Sequence, residues 1–344
     1  MTKTQNITVL GAGIMGLTTA YALQKAGHNI TMRDPKGFPA DNASAMAGGM
    51  LAPYSEIEHM NMAWVHAGLA GIAFWRNINL QTGFTQNGSL LIACPEDRYI
   101  LERFKAHLPK ALSPHKNAGE IEPALDKKFK NDTSCIFLKD EAHLSPALTM
   151  QALCADLQQQ ENVMLTTRNP SPETRNLTID CRGMDAGDTN LRGVKGEIAI
   201  VRNREFSLSR PVRLMHPRYP LYIVPRENHI FMIGATVIES SENRGVSLRS
   251  SMELMSALYA LSPSFADAEI LEIKAGIRPA YPDNLPRITI NDKIIGANGL
   301  FRHGYLLAPV MAQCIADHIA GKQNEFMSLF TKGSNDENHN QRAA

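Results

Sequence analysis

The first chemistry legible in the chain is phosphate recognition. Residues 11–16 read GAGIMG, which places Gly11, Gly13 and Gly16 in G-x-G-x-x-G spacing. Gly11 permits a tight turn out of a strand. Gly13 lets the main chain approach a pyrophosphate with no side chain between, and Gly16 lets the following helix pack close on that strand. A helix opening at Ile14 and Met15 aims its free N–H groups and partial positive charge at the phosphates. Asp34 closes the next strand-like run, near the offset of about 20 residues at which an acid holds a ribose hydroxyl. It is also the kind of aspartate that a solvated turn before Pro35 would carry. The motif serves FAD and NAD alike, because both contain the same adenosine diphosphate half.

The flanking elements support this reading. "NITVL" (6–10) is a buried-strand pattern that runs into Gly11, residues 14–25 alternate as a helix, and Gly27 suits a left-handed stop. "HNITMRD" reads as a second strand, so the chain opens as β-α-β and predicts a parallel sheet with helices on both faces. Helices are predicted over 61–80, which carries Trp64 and Trp75, and over 96–107, 145–160, 247–260 and 308–320. Strands are predicted at 88–95, for "VMLTT" and "LTIDCRG" as buried strands, and near 294–297. "GEIAIVRN", "LYIVPREN" and "IFMIGATVI" form an antiparallel sheet with a hairpin at "RENH". A nucleotide unit at both ends with this sheet between them implies interleaved domains. The expected cofactor domain is 1–75, 141–200 and 270–325, the expected substrate domain is 76–140 and 201–269, and 326–344 is expected to be a disordered tail.

Bulk properties exclude several functions. The net charge of +1 offers no field for nucleic acid or anionic lipid. The five cysteines are odd in number, widely spaced and without C-x-x-C, which disfavours disulfides and structural zinc. No metal site is expected. With no signal-peptide pattern and no long apolar run, a cytoplasmic protein is expected.

Beyond the glycine motif, several blocks carry a resemblance. "ASAMAGGMLAPYSE" (43–56) resembles the flavin-contacting loop of the FAD-dependent D-amino-acid oxidase superfamily, above all of its glycine oxidases of thiamine biosynthesis. Ser44, Gly48, Gly49 and Met50 match that loop, and small residues there let the main chain reach the flat flavin ring. "YIVPREN…IGAT" (222–236), "AGIRPAYPDNLPRI" (275–288) and "NGLFRHGYLLAPVMAQCIADHI" (298–319) match three further blocks in order. Similarity covers most of residues 5–320.

The resemblance implies an α/β fold of D-amino-acid oxidase type: a Rossmann-like FAD domain with an inserted antiparallel-sheet substrate domain. It implies FAD, held non-covalently because no cysteine lies at 276–282, and contacts from Arg302, His303, Gly304 and Leu306 as well as from the glycine motif. It assigns Arg278 and Tyr222 to the substrate carboxylate and Arg302 to a place beside flavin and substrate. Their plainer readings are a loop arginine, a core tyrosine and a structural ion pair. His303 reads as a neighbour without a chemical role, and His143, in "DEAHLSP", as a loop histidine. A small amino acid or amine and dioxygen are the implied reactants, in a homo-oligomer, dimer or tetramer. The competing readings are a flavin dehydrogenase with another electron acceptor, an NAD-dependent dehydrogenase, and a non-catalytic flavoprotein. Residues 104–135 show no motif and are a candidate for closing the substrate pocket.

Overall fold

The structure is a computed structural model that describes residues 3–109, 117–125, 127–130, 134–168, 176–217 and 220–331. The strands are β1 (Asn6–Leu10), β2 (Asn29–Arg33), β3 (Met50–Leu51), β4 (Ser89–Ala93), β5 (Ile136–Leu138), β6 (Ala142–His143), β7 (Val163–Thr166), β8 (Leu177–Asp180), β9 (Arg192–Arg202), β10 (Val212–Met215), β11 (Leu221–Pro225), β12 (Ile230–Gly234), β13 (Ile238–Glu239), β14 (Glu269–Ala280), β15 (Arg287–Asn291) and β16 (Ile294–Asn298). The helices are α1 (Ile14–Lys25), α2 (Met62–Asn77), α3 (Arg98–Lys105), α4 (Ala118–Ile121), α5 (Lys127–Lys130), α6 (Pro146–Gln158), α7 (Leu248–Leu261), α8 (Gly304–Ile319) and α9 (Met327–Thr331).

The first sheet runs β15-β16-β8-β1-β2-β7, parallel except for the β15–β16 hairpin. β1 is central, and its apolar Ile7 and Val9 are almost fully buried, as a strand covered on both faces requires. β7 departs from expectation: it is the edge of the sheet, and Met164 on it is exposed. The apolar run VMLT reads the same for an edge strand as for a buried one.

The second sheet runs β13-β9-β12-β11-β10-β4-β5, with β14 paired along the length of β9. It is mostly antiparallel, and the hairpin between β11 and β12 turns on Asn228 and His229, both at positive φ. Two such residues in succession give the twist that tight hairpins favour. Sheet membership moves two of the expected boundaries. Residues 192–200 and 270–280, inside the expected cofactor-domain bounds, belong to the second sheet, because β9 and β14 pair along their length; for 196–200 this is the antiparallel sheet that the strand pattern predicts. Parts of the motif-free stretch 104–135 also take a place here: Ile121, Leu125 and Phe129 pack into the core beneath this sheet with Phe231 and Leu258.

Helices form where their caps allow. Asn61, Ser145 and Ser247 each accept a hydrogen bond from a main-chain N–H of the first turn of α2, α6 and α7. α8 starts at Gly304, four residues before the expected 308, with Pro309 inside it. Pro309 has no N–H to give the Tyr305 carbonyl one turn earlier. Trp75 of α2 supplies the missing donor: its Nε1 donates to that carbonyl at 2.6 Å. Gly68 and Gly71 on the same face of α2 let α8 approach, since a methyl at 71 would run into the Leu306 carbonyl.

The expected tail is corrected in part. Residues 327–331 form α9, whose Phe330 is fully buried with its ring 5.3 Å from that of Trp64. Residues 326–331 read FMSLFT, an apolar run too short to show a helical period beside the polar residues that follow. Residues 332–344 lie outside the described residues. Among the described residues no helix is long and apolar enough to cross a membrane.

The α2–α8 seam makes a direct prediction. Trp75→Phe keeps the ring but leaves a buried carbonyl without a donor, and should cost about 1–3 kcal/mol. A urea midpoint unchanged from the parent would show that the bond contributes nothing.

Candidate active site

The glycine motif folds into a tight turn that opens onto the start of α1. Gly11 stands at φ +95° and its N–H donates to the Arg33 carbonyl at 2.8 Å, and an added Cβ would lie 2.6 Å from the Cys181 carbonyl oxygen. A Cβ on Gly16 would strike the Gly11 carbonyl, and one on Gly13 would come within 3.2 Å of Ser44 Oγ. Glycine is therefore required at 11 and 16 by space alone. Ile14 and Met15 are buried, so their share of the turn is the main chain at the start of α1. Asp34 is buried as well. Its Oδ2 accepts from Ala12 N at 2.7 Å and its Oδ1 from Lys36 N at 2.9 Å. It thus braces the loop, and each oxygen keeps a lone pair that a ribose hydroxyl can use. These are the features a dinucleotide needs.

Residues 42–50 lie across the start of α1. Ser44 Oγ accepts from Ile14 N at 3.0 Å, and the Ser44 carbonyl accepts from the Tyr305 hydroxyl at 3.0 Å. Gly48 lies against Tyr222 and Met232, where a Cβ would come 3.0 Å from the tyrosine ring and 2.6 Å from Met232 Cε. Gly49, at φ +68°, accepts from Leu144 N at 2.9 Å. Met50 pairs with His143 across the small β3–β6 ladder. Gly304 starts α8 against Ile14, so α1 and α8 begin side by side. Leu306 departs from the expected contact set. Its side chain packs on Gly68 of α2 and its carbonyl faces Gly71, so helix packing takes the side chain away from the turn.

Tyr222, Arg278 and Arg302 come from three separate blocks and meet beside this loop. Arg278 is on β14 and its guanidinium lies over Gly196 of β9, a place that any side chain at 196 would occupy. Its Nη1 donates to the Thr236 carbonyl at 3.2 Å. Burial lowers its pKa, the neighbouring Tyr222 pulls it back up, and the charge of Arg302 lowers it further. Arg302 donates from Nη2 to Glu56 Oε2 at 2.7 Å and stacks on Phe301 with its Cζ 5.2 Å from the ring centre. It lines a cavity of about 220 Å³ together with His59, Met60, Val237, Leu285 and His303. His303 is buried, and that burial drops its pKa to about 4, against the pull of Glu56. It is neutral at pH 7 and caps α8.

Several participants were not assigned from sequence. Arg226 is partly buried, and its Nη2 donates to the Gly48 carbonyl at 2.5 Å. Burial brings its pKa down to about 10, against the pull of Tyr305 and Tyr222. A signal was present: 222, 224 and 226 share one face of a strand, so Arg226 follows Tyr222 by period two. Glu56 closes the 43–56 block and sits between Arg302 and Arg213. Burial by itself would raise its pKa, but Arg302, Arg213, His303 and His59 together hold it low. His143, expected to be a loop residue, is a buried strand residue with neither ring nitrogen hydrogen-bonded. Burial and Arg226 lower its pKa to about 4.

The larger cavity, about 610 Å³, lies elsewhere, lined by Tyr21, Phe74, Pro309, Val310 and Phe326. It holds no cationic side chain and is remote from the turn. No disulfide forms among the described residues, and burial raises the thiol pKa values of Cys154 to about 11 and Cys314 to about 12. They are poor nucleophiles. Among the described residues no cluster of three or more metal-ligating side chains occurs.

Behind the site, Glu141 is fully buried, accepting from Ser55 N at 2.7 Å and from Ser55 Oγ at 2.9 Å. Burial pushes its pKa up from 4.5 to about 7, against the pull of Ser89, Ser55 and Arg213. The folded protein therefore keeps this proton at a pH where the unfolded chain has lost it. The stabilisation is complete below about pH 4.5 and is lost as pH rises through about 7. Glu141→Gln should flatten the fall in unfolding free energy between about pH 5 and pH 8, by about 2–3 kcal/mol. Denaturant unfolding across that range checks it, and identical slopes in parent and variant would refute it.

Comparison with known proteins agrees with this geometry. The family model described as FAD dependent oxidoreductase matches residues 6–318. A Rhizobium etli protein, named provisionally as the thiamine biosynthesis oxidoreductase ThiO, is 39% identical over 323 residues, covering 93% of this chain and 98% of its own. The glycine oxidase of Bacillus licheniformis is 28% identical over 369 residues, covering 96% and 97%. Among solved structures, glycine oxidase from Bacillus cereus superposes with a TM-score of 0.80 at 19% identity, covering 96% of this chain and 99% of that one. Glycine oxidase from Geobacillus kaustophilus gives 0.79 at 22%, covering 96% and 100%. At such identities the structural likeness establishes the fold, and the expected D-amino-acid oxidase type holds. The family match spans nearly the whole described chain, and with it the chain belongs to the FAD dependent oxidoreductase family, as an enzyme whose cofactor is FAD.

Proposed function

We propose that this enzyme oxidises the amine of a small amino acid, glycine first, as a step of thiamine biosynthesis. The observation that carries the reading is the convergence of Tyr222, Arg278 and Arg302 beside the 43–50 loop. An arginine fork and a phenol suit one carboxylate, and burial makes that pairing directional as well as attractive. The ThiO and glycine oxidase names of the relatives support the same substrate class and pathway.

In this reading Gly11, Gly13, the start of α1, Asp34 and Ser44 hold the adenosine diphosphate half of FAD, and Gly48, Gly49 and Met50 line the flavin end. No cysteine is called on, so the cofactor is held without a covalent bond. When bound, FAD supplies the two-electron acceptor for the amino acid's Cα–H as hydride. The chain's own work is placement. Arg278 and Tyr222 fix the carboxylate and so aim Cα, which converts binding energy into orientation. The surrounding cations favour the neutral amine over the ammonium ion, so the substrate enters the reaction without its extra proton. His303, neutral at pH 7, adds no competing charge. The product is an imine, which feeds thiazole formation or hydrolyses to a 2-oxo acid and ammonia. Dioxygen takes up the two electrons and leaves as hydrogen peroxide.

Two measurements test this. Glycine added without oxygen should bleach the flavin band near ~450 nm. A band that ignores glycine but bleaches with sarcosine or a D-amino acid moves the substrate, and one that ignores all of them removes the reading. Arg278→Ala should lower kcat/KM by a factor worth about 2–5 kcal/mol while FAD stays bound. Unchanged turnover would take Arg278 out of the site.

A further inference from the structure

The cations of the site are not equivalent. Arg278 has no carboxylate within ion-pair distance among the described residues, and the Thr236 carbonyl and Tyr222 are its polar neighbours. Arg302, which lines the 220 Å³ cavity, is already engaged by Glu56 at 2.7 Å. The other oxygen of Glu56 lies 3.5 Å from Arg213 Nη1. The carboxylate is itself held in place. Arg213 Nη1 donates to the Ser55 carbonyl at 3.0 Å, and Ser55 is fastened to Glu141 through both its N–H and its hydroxyl. The acid that lines the cavity, Glu239, is paired with Arg192 at 2.6 Å.

We propose that Glu56 determines the charge specificity of the site by occupying Arg302, so that of the pair Arg278 and Arg302 only Arg278 remains to receive a substrate carboxylate. Two unengaged arginines side by side would accept a dicarboxylate. With Glu56 in place, a second carboxylate that approaches Arg302 meets a fixed negative charge at close range and must displace it. The proposal rests on the reading of Arg278 as the carboxylate site. It assigns the substrate class as monocarboxylic amino acids and makes Glu56 the residue that excludes dicarboxylic ones.

The test uses the FAD-loaded protein, titrated with acetate (one carboxylate) and malonate (two) and followed by perturbation of the flavin absorbance. Oxidation of glycine and of iminodiacetate is measured alongside. Glu56→Gln should raise the affinity for malonate relative to acetate about tenfold or more, and shift turnover toward iminodiacetate in the same direction. Glu56→Asp, which keeps the charge, should retain the parent's selectivity. A malonate-to-acetate ratio that moves less than about twofold, in a Glu56→Gln protein that keeps its Tm and its flavin, overturns the proposal. If Glu56→Gln does not fold, Arg302→Gln carries the test. It leaves the Glu56 charge uncovered and should turn malonate away about tenfold further, and an unchanged ratio overturns the proposal. A parent protein that binds neither acetate nor glycine removes the carboxylate site itself, and this inference with it.

Discussion

A guanidinium taken out of water must find compensation within the protein, and this site takes several out at once. Arg278, Arg226 and Arg213 are partly withdrawn from solvent, whereas Arg302 keeps 31% of its side chain exposed. One carboxylate, Glu56, serves two of them. Main-chain carbonyls of Thr236 and Gly48 serve the other two. Carbonyls satisfy N–H groups without cancelling charge, so Arg278 keeps its attraction for an anion, whereas Arg302 does not keep all of it. The chemistry proposed for the site follows from this uneven compensation.

Holding those arginines close requires backbone without side chains at a few points. Gly196 leaves the room that the Arg278 guanidinium fills, and Gly48 leaves room for the Tyr222 ring. The same device recurs in the helical layer, where Gly68 and Gly71 let α2 lie close on α8. There Pro309 frees a carbonyl and Trp75 supplies its donor. The seam matters to the site because α8 begins at Gly304, directly after Arg302 and His303. An error in the placement of α8 would be passed on to both residues.

Much of the fold was legible because its signals are local. β-branched runs, caps such as Ser145-Pro146, and the RENH turn depend on neighbours in the chain. Where those signals misled, the cause was long-range. Pro309 reads as a helix start, since nothing nearby in sequence can supply the missing bond. Met164 reads as buried, since an edge strand has the same composition as an inner one. Phe330 reads as part of the expected tail, since its partner Trp64 lies far away in the chain. β14 reads as part of the nucleotide domain, since its pairing with β9 is not encoded in its own stretch of chain.

The sequence by itself determined the phosphate-binding turn and the identity of the residues that converge on the site. Gly16 is dictated by sterics within a few residues and Gly11 by the positive φ of its turn, and the blocks carrying Tyr222, Arg278 and Arg302 can be read singly. Only the tertiary structure decided which charges remain free. That Glu56 engages Arg302, that Arg226 braces Gly48, and that His143 is a buried residue all depend on contacts between distant segments. Burial and pairing set the charge state of each group, and neither is a property of a residue in its own stretch of chain.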